Sequence, residues 1–306
     1  MAISKTQNGV DAVREQFLQM YQEKAYVTDK SGVKMLEIHG ASFLADQDAI
    51  FGIPDKDYIE REIQWYESES LNVNDIPGKI PKIWLDISSF DGTINSNYGF
   101  LVLSRDNGNQ FVSVLNELRA FPESRRAVMI YTRPTMHREA TRNGMSDFIC
   151  TNAVQYVIRN GRIDAIVQMR SNDVVFGYRN DLAWQKHVLR ELVDAYNDIS
   201  AIDPENNETV LVGDIIWQVG SLHVYERHFP MIQKHIDEQK RLVSFSAGFF
   251  PVDAGEFDKV YYDPKKFCLT IPKVLGKPTE ISGLGRAYNR FAESLAAMNE
   301  EGETAQ

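Results

Sequence analysis

The chain has 306 residues, of which 43% are hydrophobic, 25% charged and 11% aromatic, enough apolar surface for a substantial core and too much for a disordered or fibrous chain. With 33 Lys and Arg against 43 Asp and Glu the formal charge is −10, which argues against a surface that coats nucleic acid, although a local basic pocket survives such an average. Cys150 and Cys268 are far apart and belong to no CxxC or Cys/His cluster, so neither a metal site nor a disulfide framework is expected. The opening residues hold no apolar signal region and no window approaches the roughly 18 apolar residues of a membrane helix. The expectation is a protein of a reducing cytoplasm that meets no membrane.

Val13, Phe17, Leu18 and Tyr21 lie on one helical face, which predicts a helix over Val10–Tyr26. Lys34–Phe43 alternates like a strand, and Asp55–Glu67 returns to helical spacing. Ser68–Tyr98 is rich in Asn, Asp, Ser, Gly and Pro and reads as a long irregular segment, a common place for function. Gln110–Ala120 reads as an amphipathic helix stopped by Pro122, and Ala127–Tyr131 as a buried strand. Thr151–Ile158 and Ile163–Met169 flank Asn160-Gly161, a strong hairpin signal. A helix is expected from Asp181 to about Asn197, strands at Leu222–Tyr225 and Leu242–Phe249, a helix over Leu284–Met298, and a frayed end at Gly302–Gln306. Strands and helices mix without regular β-α-β alternation, so the expected class is α+β. No GxxxxGK[ST] or GxGxxG loop is present, which demotes kinases, ATPases and dehydrogenases.

Cys150 sits where the predicted hairpin begins. Most free cysteines are small buried hydrophobes; this one becomes a nucleophile if nearby cations favour its thiolate. Candidates for those cations are Arg125, Arg126, Arg133 and Arg170. The adjacent Arg125 and Arg126 also suit a phosphate, or else a solvated loop.

Several short motifs then follow one another in a fixed order between about Val27 and Tyr225: Asp29-Lys30-Ser31-Gly32 with Leu36-Glu37-Ile38-His39-Gly40, Glu62-x-x-Trp65, Ile83-Trp84, Tyr98-Gly99, Pro122-x-Ser124-Arg125-Arg126, Cys150, Arg170-Ser171-x-Asp173-x-x-x-Gly177 and His223-Val224-Tyr225. In that order they resemble the thymidylate synthase superfamily, and within it most closely the deoxycytidylate (dCMP) hydroxymethylases. The resemblance implies a single thymidylate synthase-like catalytic domain over 1–306, ordered from about 10 to 299. It would hold a large mixed β-sheet with flanking helices and use one sheet face as the interface of an obligate homodimer.

The resemblance also implies roles. Lys30, Arg170 and Ser171 would hold the nucleotide phosphate, joined across the dimer by Arg125 and Arg126 from the partner; the family usually has Arg where this chain has Lys30. His223 and Tyr225 would meet the sugar 3′-hydroxyl. Trp84, Asp173 and Gly177 would contact folate. Cys150 would be the nucleophile, although Ile149-Cys150-Thr151 replaces the usual Pro-Cys-His, while Glu62 and Tyr98 would serve the catalytic site, Glu62 organising water and proton transfer.

Thymidylate synthases carry Asn four residues after the signature Gly. Counting from Gly177 without a gap puts Asp181 there. A carboxylate accepts from the N4 amino group and protonated N3 of cytosine and repels uracil O4. A one-residue slip would put Asn180 there and restore a uracil reader, and a third reading makes Asp181 a helix cap. In the chemistry so implied, Cys150 adds to C6 of dCMP, C5 takes up the one-carbon unit of 5,10-methylenetetrahydrofolate, and water completes 5-hydroxymethyl-dCMP. Alternatives are a dUMP-using thymidylate synthase or hydroxymethylase, a CMP hydroxymethylase, and a silent nucleotide-binding protein that kept the fold. The resemblance to phage members implies an enzyme that makes a modified DNA precursor, in the cytoplasm, and in the host's cytoplasm if the chain is phage-encoded.

Overall fold

Val10–Gln22 forms helix α1, burying Val10, Val13, Phe17 and Leu18 on the face that the spacing predicts. A computed structural model describes residues 8–202, 207–248, 262–263 and 268–269. A short hairpin, β1 (Val27–Thr28) and β2 (Lys34–Leu44), leads to α2 (Lys56–Glu67), whose N-terminus is capped by the Asp55 carboxylate accepting from Tyr58 N. The segment read as irregular contains a 3-10 turn (Val73–Asp75), a short helix α3 (Lys82–Ile87) and a lone antiparallel bridge between Asn72 and Thr93, and ends where α4 (Tyr98–Leu103) begins. Then come α5 (Gln110–Ala120), β3 (Val128–Ile130), α6 (Met136–Glu139), the hairpin β4 (Thr151–Arg159) and β5 (Arg162–Asp173), α7 (Gly177–Ile202), β6 (Leu211–Tyr225) and α8 (Phe229–Gly248).

Six strands form one mixed sheet in the order β1-β2-β6-β5-β4-β3. All neighbours are antiparallel except β5 and β6, which run parallel because α7 carries the chain back across the sheet. The α+β class with a large mixed sheet and flanking helices is therefore the observed architecture. Asn160 and Gly161 both take positive φ, as a two-residue hairpin turn demands.

Burial along the central strands changes phase part-way. In β5 it runs Ile163, Ala165, Val167, Met169 and then Asn172; in β6 it runs Ile215, Trp217, Val219 and then Leu222, His223 and Val224 in succession. The change falls at Arg170 and Gly220, and β2 has Gly40 at positive φ at the same level. The β4–β5 register also shifts, between Thr151 and Ala153. Such irregularities re-aim side chains, and here they line up across four strands beside Cys150.

Two expectations are corrected. Leu242–Gly248 belongs to α8 and not to a strand; a short apolar run has no period that separates the two. Helix α7 opens at Gly177, so Asp181 lies inside it and caps nothing. By its contacts the chain divides into Met1–Ser244 and Phe245–Gln306. In the second unit the described residues are the tail of α8 and a two-stranded ladder of β7 (Tyr262–Asp263) with β8 (Cys268–Leu269). The expected helix over Leu284–Met298, the frayed tail and the domain limit near 299 lie outside the described residues. Among the described residues no helix is long and apolar enough to cross a membrane.

Candidate active site

Cys150 immediately precedes β4 and is half-buried. Arg170, across the sheet on β5, places Nη2 3.4 Å from Sγ and donates to the carbonyls of Phe148 (2.5 Å) and Ile149 (2.9 Å). Its guanidinium also stacks on Phe148, 4.9 Å from the ring centroid. One arginine thus shapes the turn that presents the sulfur and supplies its cation. Burial nevertheless pushes the thiol up to about 11; Arg170 opposes that shift, while Asp181 and Asp147 add to it. Of the four arginines suggested by the sequence, Arg170 alone lies against the sulfur: Arg133 pairs with Glu139 at 2.6 Å and Arg126 with Glu117 at 3.2 Å, and Arg125 is exposed, its carbonyl accepting from Gln155.

Glu62 projects from α2 and is only 5% exposed. It accepts from the Tyr58 hydroxyl, one helical turn earlier, and from Trp84 Nε1 at 3.2 Å, while Trp84 Nε1 also reaches the Tyr58 oxygen at 2.8 Å. Burial raises the carboxyl to about 7 against these two donors. Asp181, one turn into α7, is raised to about 8, first by burial and next by Glu62; the Asn172 amide and the Tyr98 hydroxyl pull it down. Of two acids raised toward neutrality, Glu62 therefore acts on Asp181, and Asp181 acts in turn on the thiol. Tyr98 is buried and stacks on Tyr66 at 5.3 Å.

The remaining predicted residues fall around this centre with unequal engagement. Lys30 is exposed at the tip of the β1–β2 turn, which Asp29 holds by accepting from Ser31 N and Val33 N. Ser171 pairs with Ser221 across β5 and β6, and Asp173 with His223. His223 is buried and meets Tyr225 edge-on at 5.0 Å. Asp173 Oδ1 accepts from Val175 N and Phe176 N; Oδ2 is buried with no hydrogen-bond partner, Arg227 lying 3.8 Å away. Gly177 sits against the Asn172–Asp181 contact. Asn180, the alternative base reader, keeps a buried Oδ1 without a partner.

Sequence reasoning missed Tyr58, Asp147 and Asn172. Tyr58 was findable, since a residue four before Glu62 shares its helical face. Asp147 is buried and clamps the irregular segment by accepting from Asn95 N (2.6 Å), Ser96 N (2.8 Å) and Ser96 Oγ (2.5 Å); nothing in its local spacing announces that. Asn172 occupies the unspecified position of the Arg-Ser-x-Asp stretch.

The thymidylate synthase family model matches residues 55–247, the span that carries Glu62, Cys150, Asp181 and His223. The chain belongs to the thymidylate synthase family. Among curated proteins it is 56% identical over 210 residues to the deoxycytidylate 5-hydroxymethyltransferase of Enterobacteria phage T6, covering 69% of this chain and 83% of that one. The protein of the same name from phage T4 is 55% identical over the same length. The thymidylate synthase of Bacillus subtilis subsp. natto is 25% identical over 187 residues, 59% of this chain and 61% of that one. Enzymes of the family take methylenetetrahydrofolate as cosubstrate.

Proposed function

We propose that this chain is a deoxycytidylate 5-hydroxymethyltransferase, transferring a one-carbon unit to C5 of dCMP with addition of water. The observation that carries the reading is an acid at position 181, in the first turns of α7 and held by the Asn172 amide at 2.7 Å, where thymidylate synthases carry Asn, within a chain 56% identical to a phage enzyme of that name. Cys150 attacks C6. As the ring accepts the sulfur's electron pair, the π electrons of C5=C6 and C4=N3 shift toward N3, which takes a proton from the Asp181 carboxyl, and C5 becomes an enamine carbon. The Asp181 carboxylate then accepts from N3–H and the N4 amino group. Glu62, held by Tyr58 and Trp84, handles protons at C5 and on water, and the Tyr98 hydroxyl supports the Asp181 carboxyl.

Lys30, Arg170 and Ser171 bind the phosphate, and His223 and Tyr225 the sugar hydroxyl. In this reading folate supplies the one-carbon unit and lies against Trp84, Asp173 and Gly177. Two features fit a flat, amide-rich pterin there: the orphaned buried Asp173 Oδ2 seeks a donor, and Ile83 and Leu85, flanking Trp84, are 60% and 51% exposed. The active unit is a homodimer in which Arg125 and Arg126 reach the partner's phosphate.

The test is product mass after incubation with methylenetetrahydrofolate and either dCMP or dUMP. A hydroxymethyl adduct on dCMP, with little turnover of dUMP, is the expected result. A methyl product on dUMP points to a synthase, and no turnover with any pyrimidine nucleotide sinks the enzyme reading.

A further inference from the structure

Asn172 lies between a group that can only donate and a group that can do either. The Trp217 indole Nε1–H, a donor only, lies 3.2 Å from Asn172 Oδ1. That fixes the amide orientation, so the Asn172 NH₂ must face Asp181, and its Nδ2 lies 2.7 Å from Asp181 Oδ2. Both Asn172 and Trp217 are buried. Gly177 leaves room for the contact: a Cβ there would sit 2.9 Å from Asn172 Nδ2 and 3.6 Å from Asp181 Oδ2.

A carboxylic acid has one carbonyl oxygen and one hydroxyl oxygen, and the carbonyl oxygen is the better acceptor. An obligate donor on Oδ2 therefore keeps the carbonyl there and the proton on Oδ1. The distinction matters because a neutral acid, unlike a carboxylate, can pair with either base. With Oδ1–H facing N3 and Oδ2 facing the exocyclic group, cytosine is matched at both atoms. Uracil opposes donor to donor at N3–H and acceptor to acceptor at O4. With the proton on Oδ2 instead, uracil would be the matched base.

We propose that Asn172, oriented by Trp217, is a specificity-determining positioning residue that holds the Asp181 proton on Oδ1 and so makes a neutral acid read cytosine and reject uracil. The inference rests on the reading of Asp181 as the group that meets the base, and deepens it. Asp181 is held neutral near pH 7 by burial and by Glu62 on α2; Asp173 on β5 adds to the shift, and Tyr98 on α4 and Asn172 oppose it. Tyr66, Tyr131 and Cys150 are the other titratable groups that feel its charge.

The experiment compares dissociation constants for dCMP and dUMP, and kcat/KM wherever turnover occurs, in the parent, Asn172→Leu and Trp217→Phe at pH 7. The dCMP-to-dUMP preference is expected to narrow at least about tenfold in Asn172→Leu, and in the same direction in Trp217→Phe, because misplaced donors and acceptors discriminate by orders of magnitude. A purely structural role would weaken both nucleotides alike and leave the ratio standing. An unchanged ratio in folded Asn172→Leu overturns the inference; if that variant does not fold, the ratio in Trp217→Phe decides in the same way. Asp181→Asn is run beside them. If it leaves dCMP preference intact, the base is read elsewhere and the underlying assignment fails. If it shifts preference to dUMP while both other variants keep the parent ratio, only the role of Asn172 fails.

Discussion

In the proposed reaction a thiol raised to about 11 attacks slowly unless its proton is lost, so Cys150 as nucleophile would depend on the Arg170 cation and on proton delivery at the far side of the ring. Cys150→Ala is expected to abolish turnover while dCMP still binds with an affinity within a few-fold of the parent by calorimetry, since the proposed phosphate and sugar contacts of Lys30, Ser171 and His223 are untouched; full activity in that variant removes the nucleophile. The acids give a prediction of opposite origin. Asp181 is raised from 3.8 to about 8, so from about pH 4 upward the folded chain keeps a proton that the unfolded chain releases, and its burial subtracts more stability as pH rises toward 8. Asp181→Asn should therefore match the parent Tm near pH 4 and exceed it at pH 8. A difference that is constant with pH would show an ordinary carboxylate. Cys150, Glu62 and Asp181 were legible as residues, but their titration was not, because burial comes from distant segments.

Helices α2 and α4 cross where Gly99 faces the Tyr66 carbonyl; a Cβ at 99 would lie 1.8 Å from that oxygen. Backbone cannot swing aside as a side chain does, so Gly99→Ala must separate the helices that carry Glu62 and Tyr98. A loss of about 1–3 kcal/mol, as for overpacked cores, is expected by urea denaturation, with activity falling further than stability. Unaltered stability would mean that the two helices are not in contact. Helices α1, α2 and α5 and the β4–β5 hairpin were readable because each satisfies one period or one turn rule within its own residues. Strand β6 was not: only Leu222–Tyr225 was foreseen of Leu211–Tyr225, since its burial changes phase at Gly220 and a single alternation cannot span that point. The same change of phase separates Met169 from Asn172 and turns Asn172 toward α7.

At the scale of the whole molecule, the sheet has a second face. There Gly40, Ala41, Ser42, Gln168, Gln218 and Gly220 line a shallow cavity of about 310 Å³, and this is where the proposed second subunit would lie. If Arg126 serves the partner's phosphate, then Cys150→Ala and Arg126→Ala are each inactive as homodimers, and mixing them under exchange should regenerate sites with both groups intact. Recovered activity after mixing, with a dimer mass by light scattering, is the expected outcome; a monomer, or no recovery despite exchange, would put Arg126 on its own subunit's surface. The sequence by itself determined the α+β class, the family and an ordered set of residues, because their identities and local spacing are written along the chain. Only the tertiary structure decided that Arg170 alone of the four arginines meets the sulfur, that Asp181 lies within α7 instead of capping it, and that Trp217 fixes Asn172 against that acid. Those facts depend on strand register, a shared change of phase and burial by residues far away in sequence, and none of these leaves a local trace.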